Sequence, residues 1–293
     1  MNKKKLISYI MLITAMLIWG SIGIFRRSIP VPSEFLAFIR GLTGALFMCI
    51  ILSLKKDVSI SQVKKQSIVL LALTGALIGI NWIFLFEAFN YTTVATATLC
   101  YYMEPTMVIL MAPLFFSQRL TLSQLAITIL TILGMILVSG IIDNGEIKPD
   151  DITGIIFGLS AAFCYALIVI SNKRIEAIDT YLKTFIQLSG AAIAMIPYLI
   201  YTAGFTGLPE DTSTWLLILF VGIVHTGIAY ALYFGAMKEL SAQSVAICSY
   251  IDPISALIFS ALLLGEALTP LGMLGAILII GTVAIGEFTS KQR

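Results

Sequence analysis

The sequence predicts an all-α polytopic membrane protein: ten transmembrane helices arranged as two inverted five-helix repeats around a central cavity. Three observations predict it. The chain of 293 residues is 59% hydrophobic and only 12% charged, with a mean hydropathy of +0.99, whereas soluble domains carry about 25% charged residues. The apolar residues gather into ten runs, each near the roughly 20 residues that a helix needs to cross a bilayer. The two halves also repeat without gaps, 148 positions apart. Cys100 falls on Cys248, Tyr102 on Tyr250, Pro105 on Pro253, Leu120 on Leu268 and Thr121 on Thr269.

Taken in order, the runs of the first half span 6–25, 34–54, 68–90, 93–116 and 123–142. A polar break follows from Asp143 to Asp151, with Asn144-Gly145 and Pro149 as turn formers. The runs of the second half span 152–172, 180–202, 214–237, 241–264 and 269–288. The repeats are therefore expected over 6–142 and 152–288. Strands of a membrane barrel alternate in polarity over about ten residues, and these runs do not. Small residues at Gly75 and Gly79, and at Gly154 and Gly158, suit close helix packing.

Several function classes drop out. Lys3-Lys4-Lys5 before an apolar run resembles a signal peptide, but the run is too long and leads into Arg26-Arg27, so a retained first helix is expected. Cys49, Cys100, Cys164 and Cys248 all fall within apolar runs and form no ligand spacing, so neither a disulfide framework, a metal nor another cofactor is expected. A net charge of +2 leaves no footprint for nucleic acid. No glycine-rich loop ends in Gly-Lys-Ser/Thr, so the chain does not hydrolyse ATP by that device. A membrane enzyme, the different-class alternative, would need a cluster that one histidine and isolated carboxyls do not supply.

Basic residues set the orientation. With the N-terminus inside, the three N-terminal lysines, Lys55, Lys56, Lys64, Lys65, Arg119, Lys173, Arg174, Lys183, Lys238, Lys291 and Arg293 all face the cytoplasm. Only Arg26, Arg27 and Lys148 fall outside, and Arg40 lies within a span. Both termini are therefore expected in the cytoplasm. Five spans per repeat is an odd number, so the second repeat must enter the membrane upside down, the plan of many secondary transporters with a midplane site.

Ionisable groups inside a span cost about 2.5–3.5 kcal/mol each on insertion scales and mark cavities or partners. Five stand out: Arg40, Glu87, Glu104, His225 and Asp252. Helix rise puts Glu104 roughly 18 Å from one face and Asp252 roughly 17 Å from the other. Each precedes a proline, Pro105 or Pro253, which removes a backbone hydrogen bond and kinks the helix. Such carboxyls either exchange protons or stay ionised and hold a cation; the competing reading is a structural kink. Arg40 and Glu87 both sit near the outer layer, where a structural ion pair is favoured over a substrate-carboxylate anchor at Arg40. His225, the single histidine, is either a packing residue or a substrate or proton contact. Trp19, Asn81, Trp82, Tyr101, Tyr102, Tyr230 and Tyr250 are expected to line the cavity. Aromatic faces there could hold an ammonium group, or simply pack.

These marks in sequence resemble the EamA family of the drug/metabolite transporter superfamily over nearly the whole chain. The resemblance rests on Trp19-Gly20-Ser21, Arg40, the segment from Phe86 to Thr93, Pro105 and Pro253, and Leu264-Gly265-Glu266-Ala267-Leu268-Thr269-Pro270 before a span bearing Gly272, Gly275 and Gly281. The first repeat departs from that last element, with Ser117-Gln118-Arg119-Leu120, and a loop-shaping role suffices for Glu266. The resemblance implies a ten-helix carrier with a basket-like cavity in a prokaryotic plasma membrane, in a family that exports amino acids and other small metabolites. The expectation is a secondary-active exporter of a small polar metabolite, an amino acid or amine, with protons as coupling ion and the lipid bilayer as surroundings. The alternative is uptake of an organic cation such as choline or a polyamine. Oligomeric state is left open.

Overall fold

The computed structural model describes residues 3–290 apart from 56–57, 59, 117–119, 139–141, 143–147, 176–177, 203, 207, 238 and 241. Most of the expected polar break, and Gln118 and Arg119 of the first repeat, lie outside the described residues. The described chain is helical: α1 (Lys3–Gly20), α2 (Ile22–Arg27), α3 (Ser33–Ser53), α4 (Lys65–Tyr91), α5 (Val94–Tyr101), α6 (Glu104–Phe116) and α7 (Leu122–Val138). The second half continues with α8 (Pro149–Asn172), α9 (Thr180–Tyr201), α10 (Thr212–Gly222), a π-helical segment (Ile223–Ile228), α11 (Ala229–Met237), α12 (Ala242–Ser249), α13 (Ile251–Leu264) and α14 (Pro270–Ser290).

Local chemistry explains the starts. Pro149 opens α8 and is followed by Asp150 and Asp151, where a missing N–H costs nothing and negative charge suits the helix dipole. Asp179 caps α9 by accepting from the Tyr181 and Leu182 N–H groups. Asp211 caps α10, and hydrogen bonds from Ser213 and Thr214 hold its carboxyl at about 2.

Seven helical stretches among the described residues are long and apolar enough to cross a membrane, and three shorter apolar helices, 122–138, 251–264 and 270–282, accompany them. Leu114, Leu122 and Leu262 are more than three-quarters exposed, while Phe86, Leu36 and Leu199 are fully buried. Apolar side chains thus cover both the outside and the inside, as lipid contact requires. The protein is multi-pass.

The fourth and ninth helices expected from the sequence, 93–116 and 241–264, are each two half-helices. α5 ends at Tyr101 and α12 at Ser249, and the next helices begin by Glu104 and Ile251. The cause is proline. Pro105 cannot donate to the Tyr101 carbonyl, nor Pro253 to that of Ser249, so each first half stops at that residue. The prolines then sit in the first turn of the following half, where they are tolerated. The first run is also divided, at Ser21.

Packing between the halves is reciprocal. α4 packs on α8, and α11 packs on α1. α8 packs on α5 and α6, and α1 packs on α12 and α13. α3 pairs with its counterpart α9, and α7 with α14. Close approach is built into the sequence: a Cβ at Gly75 would overlap the Gln187 carbonyl, which lets α4 lie against α9.

Candidate functional site: a central cavity

A cavity of about 490 Å³ lies where the broken helices meet α1, α3, α4, α8, α9 and α11. That volume suits a small metabolite. Trp19, Asn81, Trp82, Tyr101, Tyr102, Tyr230 and Tyr250 line it, with Arg40, Glu104, Pro105 and Asp252. Tyr102, in the break of the first half, donates from its hydroxyl to Asp252 Oδ2 at 2.8 Å, so the two breaks are joined across the cavity wall. Asp252 also sits at a tight helix contact. A Cβ at Gly20 would come within 2.7 Å of the Asp252 carbonyl and overlap Ser255 Oγ.

Arg40 is buried, 5% exposed. Its Nε donates to Thr226 Oγ1 at 3.1 Å, and its guanidinium carbon lies 4.2 Å from the Trp82 ring centroid and 5.3 Å from that of Phe86. Stacking on a tryptophan face offsets part of the cost of burying the charge. The expected ion pair with Glu87 is not formed. Neither ion pair among the described residues uses Arg40 or Glu87, and Glu87 accepts from Asn90 at 3.4 Å near the end of α4. Helix rotation, not depth, separates the two: Arg40 turns to α4 and the π segment, whereas Glu87 does not line the cavity. The terminal nitrogens of Arg40 have no hydrogen-bonding partner among the described residues, so a bidentate fork is left for a ligand.

His225 does not line the cavity. It sits in the π segment, 1% exposed, with its ring 4.9 Å from Phe25 and 5.8 Å from Phe220. Ser21 Oγ donates to the Ile18 carbonyl at 2.7 Å, so it accepts from His225 Nε2 at 3.0 Å, which places the proton on Nε2. Trp19 Nε1 donates to the His225 carbonyl at 2.9 Å. The histidine thereby ties the Ser21 break to the π segment that carries Thr226 to Arg40.

Aromatic rings form the walls. Trp19 lies 5.2 Å from Tyr230 and 5.3 Å from Tyr233, and Tyr101 lies 5.8 Å from Tyr165. Tyr165, Asn172, Thr180, Lys183, Thr184 and Gln187 also line the cavity and were not singled out by the sequence reading. They carry it to the last residue of α8 and the first turn of α9. Gln187 Nε2 donates to Thr74 Oγ1 at 2.9 Å and to Asn172 Oδ1 at 3.1 Å.

The opposite end is held by Glu266. Gly265, with φ 69°, ends α13 in a left-handed turn. That turn sends Glu266 back over the chain. Glu266 Oε1 pairs with Arg27 at 2.9 Å, while Oε2 accepts from the Val94 N–H at 2.8 Å and from Ser260 Oγ at 2.6 Å. Arg27 also donates to the Thr92 carbonyl at 2.7 Å. Glu266 thus does more than shape a loop: it clasps α2, α5 and α13 together, and none of Arg27, Val94 and Glu266 lines the cavity. No group of three or more metal-ligating side chains occurs among the described residues.

The model of the EamA-like transporter family matches residues 6–140 and again 152–285. This chain belongs to the EamA-like transporter family. It is 29% identical over 286 residues, 97% of this chain and 90% of the relative, to the uncharacterized transporter YxxF of Bacillus subtilis. It is 25% identical to the riboflavin transporter ImpX of Fusobacterium nucleatum, over 89% of this chain and 91% of that one. It is 22% identical to the aromatic amino acid exporter YddG of Ancylobacter novellus, over 95% and 96%. As a family member, the chain is a membrane transporter with the cavity as its candidate path.

Proposed function

We propose that this transporter is a secondary-active exporter of amino acids or related amines, working by alternating access with protons as the counter-ion. It would sit in the plasma membrane with both termini in the cytoplasm and its repeats inverted. The observation that carries this reading is the composition of the cavity wall. One side offers the unspent guanidinium fork of Arg40, which suits a carboxylate. The half-helix breaks offer the carboxyls Glu104 and Asp252, which suit an amine or a proton. Aromatic rings line the space between. The name of the YddG relative supports an amino-acid cargo, and the reciprocal helix packing supports inverted repeats. Uptake of a purely cationic substrate is less well supported, because two of the lining charges, Arg40 and Lys183, are themselves cations.

The test uses purified full-length protein in liposomes. Amino acids are screened for counterflow, and a pH-sensitive dye inside the vesicles follows protons. Proton movement opposite to the amino acid is expected. Arg40→Lys should weaken uptake of a carboxylate-bearing substrate by at least about 10-fold, since lysine cannot form the planar fork. Glu104→Gln and Asp252→Asn should remove the pH dependence. Undiminished, pH-dependent transport in the double carboxamide variant would reject proton coupling at these residues.

A further inference from the structure

We infer that Lys183 is a second recognition residue of the transport site, a guide that draws the substrate's carboxylate into the mouth of the cavity ahead of Arg40. The inference rests on the carboxylate-bearing cargo proposed above. Lys183 lies in the first turn of α9 and lines the cavity beside Thr180, Thr184, Gln187 and Asn172.

Among the described residues, nothing in the local structure accounts for a lysine there. A cation in the first turn of a helix opposes the helix dipole, so helix stability does not call for it. The residue one turn before it is Asp179, at the spacing of a stabilising helical pair. Yet that carboxylate is already committed. Its Oδ1 accepts from the Tyr181 and Leu182 N–H groups, and its Oδ2 pairs with Lys55 Nζ at 2.8 Å, which in turn stands 4.3 Å from the Tyr181 ring. Among the described residues no hydrogen bond joins the ammonium to the neighbouring amides, which instead bond to each other from Gln187 Nε2 to Asn172 Oδ1. Among the described residues the Lys183 ammonium has no hydrogen bond or ion pair. Among the described residues, the α9 end of the cavity therefore presents a positive charge without a partner, and low-dielectric walls focus such a charge on incoming anions.

The two cations differ in kind. Lys183 is a strongly hydrated point charge on a flexible stem, which suits a weak first contact; Arg40 is a planar, stacked fork, which suits a fixed final one. The competing account is that Lys183 serves only as a topology signal at a cytoplasmic helix end, and the experiment separates the two.

Three probes are offered to the reconstituted full-length protein: L-phenylalanine, phenylalaninamide without the carboxylate, and 3-phenylpropionate without the amine. Lys183→Gln is expected to raise the KM for phenylalanine about 5- to 10-fold with kcat changed less than about twofold, and not to raise that for the cationic phenylalaninamide. Lys183→Arg should restore the wild-type KM. In the wild type alone, raising the salt concentration should raise the KM for phenylalanine and not that for the amide, which tests the inference even if the glutamine variant does not fold. Equal shifts for both probes, or none, overturn it. If phenylalanine is carried with an unchanged KM in Lys183→Gln, the inference falls and the amino-acid reading stands. If phenylpropionate is carried in a Lys183-dependent way and phenylalanine is not, the amino-acid reading falls and the inference stands. If the wild type carries neither carboxylate, both fall.

Discussion

At one end of the cavity Glu266 holds three helices together; at the other, Asp179 ties a helix start to Lys55 and leaves Lys183 facing the cavity. Both ends have an ion pair, and the pairs differ in reach. Both pairs join the two halves of the chain, but Glu266 also caps the first N–H of α5 and accepts from Ser260 of α13, whereas Asp179 otherwise caps only its own helix. A carboxylate at a helix N-terminus gains from the dipole as well as from the hydrogen bond. Lys55 and Asp179 join the end of α3 to the start of α9 beside the cavity, without crossing it. The lining residues reach the terminal residues of α8 and α9 but stop short of Arg27 and Glu266. Salt bridges of nearly the same length, 2.9 and 2.8 Å, can thus have unequal consequences. What matters is how many separate helices a single carboxylate fastens.

That comparison can be broken at its strongest point. Glu266→Ala should cost about 2–4 kcal/mol of stability, because three donors lose a largely buried carboxylate. Thermal unfolding in detergent measures it. Arg27→Ala should cost less, about 1 kcal/mol, since its side chain is a third exposed and Val94 and Ser260 keep their acceptor. Equal losses for the two variants would mean that the ion pair, and not the three-way clasp, closes that end.

The smallest effect is expected at the other end. Burial works to raise the Asp179 carboxyl, but hydrogen bonds from Lys55, Leu182 and Tyr181 outweigh it and hold the group below the usual carboxylate range. A lowered folded-state value means that the contribution is complete above the unfolded value of roughly 3.9 and is lost as pH falls through the folded one. The melting-temperature gap between wild type and Asp179→Asn should thus stay constant from about pH 8 to pH 5 and close below about pH 4. A gap that persists in acid would show that the cap acts without its charge.

Much of this architecture is legible in the sequence. The repeat offset places the two proline breaks in register: Tyr101 and Ser249, the last residues of α5 and α12, are counterparts in the two halves. The kinks at Pro105 and Pro253 are expected from the missing N–H, but hydropathy reads one apolar run and does not show that each kink is a full break between two half-helices. The Arg40–Glu87 pair was misjudged for a related reason, since depth along a helix says nothing of rotation about its axis. Polar residues at Thr180, Lys183, Thr184 and Gln187 recur at three- and four-residue spacing on one face of α9. That stripe is the signal in the sequence for the α9 side of the cavity. The Glu266 clasp was not legible, because its partners Arg27 and Val94 are remote in sequence and only the Gly265 turn hints at a change of direction.

The central proposal is one cavity that opens to one side at a time, with the Glu266 clasp holding one side shut. Thr98→Cys puts a thiol on the cavity wall, in a background where Cys49, Cys100, Cys164 and Cys248 are replaced by alanine. The most direct measurement is the rate at which a membrane-impermeant maleimide labels that thiol in right-side-out and inside-out vesicles. The account predicts fast labelling from the side of Lys183 and slow labelling from the side of Glu266. Glu266→Ala should then raise the slow rate at least about 10-fold, the equivalent of roughly 1.4 kcal/mol in the opening equilibrium. Equal labelling from both sides in the wild-type background, or no change on removing Glu266, would contradict it.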